Sequence, residues 1–139
     1  MSSDMSATEI EDATTRLCAA ALQGKTGEML TALRGGARLN GLSQDGSTPL
    51  GAAALGGALP ACQLLLDAGA GVNVPASDGA TPLLQACLWN RLEVVRLLIA
   101  HGADPEHRER NGWSPRDVAV HRKATDILAL LESGAERPP

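Results

Sequence analysis

Asp45-Gly46, Asp78-Gly79 and Asn111-Gly112 stand 33 residues apart, and a period of that size commits a chain to a stack of repeated supersecondary units. Other marks share the register. Thr48-Pro49-Leu50 returns as Thr81-Pro82-Leu83 and, weakened, as Ser114-Pro115-Arg116. Gly69-Ala70 returns as Gly102-Ala103 and is preceded by Gly36-Ala37, while Val72-Asn73 answers Leu39-Asn40. The register runs without a gap from about Asp12 to Glu132 and divides the chain into units of about 12–44, 45–77, 78–110 and 111–135. Residues 1–11 are expected to be a mobile leading segment and 136–139 a short tail ending in Pro138-Pro139, with no second domain after it.

Each unit has the same physical grammar. The Asp-Gly or Asn-Gly pair favours positive φ and predicts a tight hairpin turn. Thr48, Thr81 or Ser114 then serves as N-cap, and the proline that follows takes the first helical position, where its missing N–H is not needed. Ser114 with Asp117 three residues on predicts a capping box. A short helix with small buried residues comes next, then a second helix with apolar residues at helical spacing, as in Val94, Val95, Leu97, Leu98 and Ile99. Gly69 and Gly102 stop that second helix as left-handed residues. One unit cannot cover its own apolar faces, so neighbours must stack. Unit two is expected to be the softest, because Pro60 sits in the first turn of its second helix and Gly56-Gly57 ends its first.

The composition agrees with close packing of small-faced helices. The chain has 139 residues, 44% of them hydrophobic, yet no Phe, no Tyr and two Trp. Its net charge of −4 disfavours nucleic acid and anionic membranes as partners. Three cysteines, an odd number, do not suggest a secreted disulfide framework. The N-terminus carries Asp4, Glu9, Glu11 and Asp12 where a signal peptide would carry Lys or Arg. The expected location is intracellular, cytoplasmic or nuclear.

Residues 78–87 (Asp-Gly-Ala-Thr-Pro-Leu-Leu-Gln-Ala-Cys) and 92–104 (Leu-Glu-Val-Val-Arg-Leu-Leu-Ile-Ala-His-Gly-Ala-Asp) resemble an ankyrin repeat almost throughout. The resemblance covers four units. It implies an all-α solenoid of four helix–turn–helix units joined by hairpin-like fingers. It also implies a small stand-alone module that binds proteins through the concave face between fingers and inner helices. The family's usual His after Thr-Pro-Leu is replaced by Gly51, Leu84 and Asp117.

No catalytic constellation is present. The chain lacks G-x-S-x-G, a Walker A pattern, H-E-x-x-H and C-x-x-C. No enzyme activity, cofactor, small-molecule substrate or metal is therefore expected. Cys62 and Cys87 fall on core positions of the register, Cys18 is expected to be partly exposed, and His101, His107 and His121 do not join them at ligand spacing.

What the repeat does not explain points to a partner site. Mapped by register, Leu88, Trp89, His121 and Arg122 fall at inner-helix ends, and Arg108, Arg110 and Trp113 fall on the fingers. Trp and Arg are the residue types most enriched among binding hot spots. From His107 to Lys123 the chain carries a local charge of +3, against −3 over residues 1–70. The predicted partner is thus a protein with an acidic rim, bound by a monomeric adaptor or inhibitor. The alternative is a scaffold subunit of a constitutive complex or homo-oligomer, with Ala52, Leu55, Gly56 and Gly57 of unit two as its contact.

Overall fold

Three series of left-handed residues, each at the 33-residue period, shape the backbone. Gly24, Gly57, Asn90 and Lys123 turn the chain between the helices of a pair, Gly36, Gly69 and Gly102 end the second helices, and Gly46, Gly79 and Gly112 close the fingertips. The computed structural model describes residues 6–135. Among them are eight helices: α1 (Ala7–Gln23), α2 (Thr26–Arg34), α3 (Pro49–Gly56), α4 (Leu59–Asp67), α5 (Pro82–Leu88), α6 (Leu92–Ala100), α7 (Pro115–His121) and α8 (Thr125–Ala135). Consecutive helices pair. The odd-numbered helices stack as an inner layer, α1 on α3 on α5 on α7, and the even-numbered ones as an outer layer. The fold is an all-α solenoid, and no strand forms among the described residues.

Capping follows the sequence grammar closely. The hydroxyls of Thr48, Thr81 and Ser114 accept the N–H of Gly51 (3.0 Å), Leu84 (3.4 Å) and Asp117 (3.1 Å), with proline opening each helix. Ser114 N–H in turn donates to Asp117 Oδ2 at 3.1 Å, which completes the capping box. The fingers differ from the expected two-residue turn. Gly46, Gly79 and Gly112 donate to the carbonyls of Ser43, Ala76 and Glu109, each at 2.9 Å. Only the glycine has positive φ, while Asp45, Asp78 and Asn111 do not. A four-residue turn that runs into a left-handed glycine leaves the preceding residue in ordinary backbone conformation, so Asp and Asn serve equally well. Asn40 and Asn73 then staple each unit to the next: their Oδ1 atoms accept the N–H of Gly71 and Asp104, both at 2.9 Å.

Helix α1 begins five residues ahead of the register boundary at 12, because Ser6 Oγ accepts Glu9 N–H at 3.1 Å and caps it. The expectations for residues 1–5 and 136–139 lie outside the described residues. In unit two, every residue from Pro49 to Ala54 is buried, since α3 is covered by α1 on one side and α5 on the other. Five of the eight residues of α3 are Ala or Gly, which lets α1 approach closely at Gly56. Pro60 occupies the first turn of α4, where it removes no intrahelical bond.

All three cysteines are buried. Cys18, expected to be partly exposed, is 5% accessible, because the finger of unit two folds over it and Ser47 C=O lies 3.6 Å from its Sγ. Burial pushes the thiols up to about 11 for Cys18 and about 12 for Cys62 and Cys87, so none supplies a thiolate near neutral pH.

The capping box carries a stability prediction. Ser114 is completely buried, and Ser114→Ala should cost about 1 kcal/mol in urea unfolding. Asp117 is held below the usual carboxylate range by Ser114 N–H first, then by the Ser114 hydroxyl and Arg108. A depressed folded pKa stabilises above the unfolded value of about 3.9 and loses that contribution as pH falls through the folded value. Asp117→Asn should therefore flatten the fall of Tm on acidification below about pH 4.

Candidate protein-binding groove

The finger of unit four forms one wall of the site, held by two hydrogen bonds. Glu109 N–H donates to Trp113 C=O at 2.9 Å, and Trp113 N–H returns to Glu109 Oε1 at 3.0 Å. With Trp113 fixed, its indole meets the His121 ring edge-on, 5.4 Å between centroids at 72°. This arrangement encloses a notch of about 200 Å³ between α5, the finger and α7, lined by Leu84, Leu88, Glu109, Trp113, Val118, His121 and Arg122. Its base is aliphatic and its rim carries one carboxylate, one imidazole and one guanidinium. Such a surface takes an apolar side chain and orients it with a few polar groups.

Of the sequence-predicted site residues, the notch brings together Leu88, Trp113, His121 and Arg122. Trp89 is not among its lining residues. It is the C-cap of α5 and stands 56% exposed, while Trp113 is 43% exposed. Arg108 and Arg110 also stay outside. Arg108 bonds to Gly112 C=O and to Asp117 Oδ2, both at 2.7 Å, and Arg110 reaches Ser77 C=O at 2.9 Å. Arg122 Nη1 donates to Leu88 C=O at 2.6 Å and so closes the end of α5.

Three lining residues were missed from sequence: Leu84, Glu109 and Val118. Leu84 had a signal, since it replaces the histidine usual in the resembled family. Glu109 and Val118 had none beyond the register. The cationic character of the region is smaller than its charge count implies, because Arg108 pairs with Asp117 and Arg116 with Glu106. Both pairs are exposed or half-exposed and contribute little to stability.

No group of three His, Cys, Asp or Glu among the described residues is placed to hold a metal ion. No helix among them is long and apolar enough to cross a membrane. A protein-family comparison matches residues 17–109 to the family described as Ankyrin repeats (3 copies). No curated protein matches the chain.

Proposed function

The chain belongs to the ankyrin repeat family, whose members are generally protein–protein interaction modules, and on that premise we propose that it is a non-enzymatic adaptor or inhibitor. It captures a partner protein in the groove between the fingers and the inner helices and acts by steric competition. We read α7 and α8, which lie beyond the matched residues, as a fourth repeat, because they keep the 33-residue register, the N-cap and the stacking of the first three pairs. The module works inside the cell.

The observation that carries this reading is the exposure of both tryptophans, 56% and 43%, beside an aliphatic notch on a protein otherwise free of aromatic residues. Exposed aromatic and aliphatic surface of this kind marks interaction sites. Of the basic residues between His107 and Lys123, Arg110, Arg122 and Lys123 have no carboxylate partner among the described residues, which favours a partner with an acidic rim. A scaffold role has one observation behind it. Val120 is 58% exposed, whereas its register equivalents Ala54 and Cys87 are 0% and 2% exposed under the next unit. A chain that is oligomeric in light scattering, and monomeric as Val120→Glu, would favour that reading.

The test pairs binding with stability. Partners captured from native lysate by the wild type should be lost by Trp89→Ala and by Trp113→Ala, each substitution weakening binding by about 2 kcal/mol or more if it removes a hot spot. The melting curve of Trp89→Ala should stay close to wild type, since truncating a buried Trp costs about 3–5 kcal/mol and this one is mostly exposed. A large drop in Tm would show that the indole supports the fold and not a partner.

A further inference from the structure

A second notch lies at the other end of the groove, between α1, the finger of unit two and α3, with a volume of about 320 Å³. Its lining repeats that of the first at a distance of two full units: Leu22 corresponds to Leu88, Ser47 to Trp113 and Ala52 to Val118, each pair 66 residues apart. The second notch is roomier because Ser and Ala stand where the first has Trp and Val. The step between the two carries Gly51, Ala76 and Ala80 at the positions of Leu84, Glu109 and Trp113, and Leu55, Gln85, Leu88 and Trp89 at those of Leu88, Val118, His121 and Arg122, so the middle is small on its finger side and larger on its helix side. Trp89, 56% exposed, holds at that middle step the register position of Arg122.

Spacing selects the shape of what bridges the two notches. Units of a helical stack lie roughly 10 Å apart, so equivalent points two units apart are separated by about 20 Å. An extended chain covers that in about six residues at 3.3 Å each, and an even number puts both side chains on one face. A helix would need about 13 residues and a wide channel, whereas the small finger residues Ala76 and Ala80 admit a bare backbone beside them. The rims differ in charge. Glu109 and Arg122 together border the notch at Trp113, and Asp45 alone borders the notch at Leu22.

Taking the groove as the protein-binding surface, we propose that its ligand is one extended segment of a partner with two apolar side chains six residues apart, one in each notch. A basic side chain flanks the anchor at Leu22, beside Asp45. Trp89 lies along the backbone between them.

A phage-displayed library of random 12-residue peptides, selected on the wild-type chain, tests this. Selected peptides should share two apolar residues at a spacing of six. Their affinity should fall at least tenfold for Trp113→Ala and also for Ala19→Arg, which obstructs the second notch from an exposed position on α1. Moving the anchors to a spacing of five should cause a similar loss. Peptides weakened by Trp113→Ala but indifferent to Ala19→Arg and to spacing would overturn the two-notch ligand and leave the groove as the binding surface. Peptides indifferent to both substitutions, or a library that yields no binder, would overturn both.

Discussion

Gly56→Ala is expected to destabilise the stack by about 2 kcal/mol, the reverse of what its position in a helix suggests. Gly in a helix costs about 1 kcal/mol relative to Ala, so propensity alone would make the substitution stabilising. Packing outweighs it. A Cβ on Gly56 would lie 2.1 Å from the carbonyl oxygen of Leu22 and 3.1 Å from its carbonyl carbon. Both atoms are main chain of α1 and cannot swing aside as a side-chain tip would. To admit the methyl group, α3 must move away from α1, which loosens the contact that buries Ala20, Ala21, Ala53 and Ala54. Gly27→Ala is the matched control, because Gly27 also lies in a helix and a Cβ there would meet nothing within 4 Å. Thermal unfolding should show Tm falling by several degrees for Gly56→Ala and rising slightly for Gly27→Ala. A rise for both would mean that the α1–α3 approach yields easily.

Gly56 illustrates what the sequence could show about this fold and what it could not. The period, the caps and the order of helices follow from residue types at fixed spacing, because a cap or a left-handed turn is decided within three or four residues. The expectation of a soft unit two rested on the same local reasoning. It counted Gly56-Gly57 and Pro60 as defects, whereas the structure uses Gly56 for a close helix approach, Gly57 for a left-handed turn and Pro60 in a first turn. The helix-pair turn shows another limit. Its left-handed series was half hidden, because Asn90 and Lys123 stand where Gly24 and Gly57 mark it.

At the candidate site, register placed the tryptophans and arginines on the right elements without saying where their side chains go. Arg122, a C-cap like Trp89 one unit earlier, folds its guanidinium back to Leu88 C=O and lines the notch, while Arg108 and Arg110 bond to Gly112 C=O and Ser77 C=O and stay out of it. The charge count from His107 onward also stopped one residue short of Glu106, which pairs with Arg116. Pairing across a finger depends on side-chain direction, which spacing does not encode. Cys18 failed for a related reason: what covers it belongs to the next unit, 29 residues away at Ser47.

Leu98→Ala is expected to have the largest effect on stability, about 3–5 kcal/mol. Leu65, Leu98 and Leu131 recur at the period of 33 and are each 0% exposed, forming a ladder through the outer helices. Leu→Ala in a core costs about 2–5 kcal/mol, more where the surroundings cannot collapse into the cavity. Leu98 lies on α6, held by α5, by α4 on one side and by α8 on the other, so collapse there is blocked from three directions. Leu131 lies on α8, which among the described helices is held by α6 and α7 alone, and Leu131→Ala should cost less. The difference should also appear in cooperativity. A stack is coupled only through neighbouring units, and a cavity in unit three weakens the link between the two halves. Both tryptophans lie in units three and four, so their fluorescence reports that half alone, while far-UV circular dichroism reports every helix. In urea the two signals should coincide for the wild type and separate for Leu98→Ala, with a reduced m-value. Coincident transitions of unchanged slope in Leu98→Ala would instead mean that the stack unfolds as one unit even with its central interface weakened.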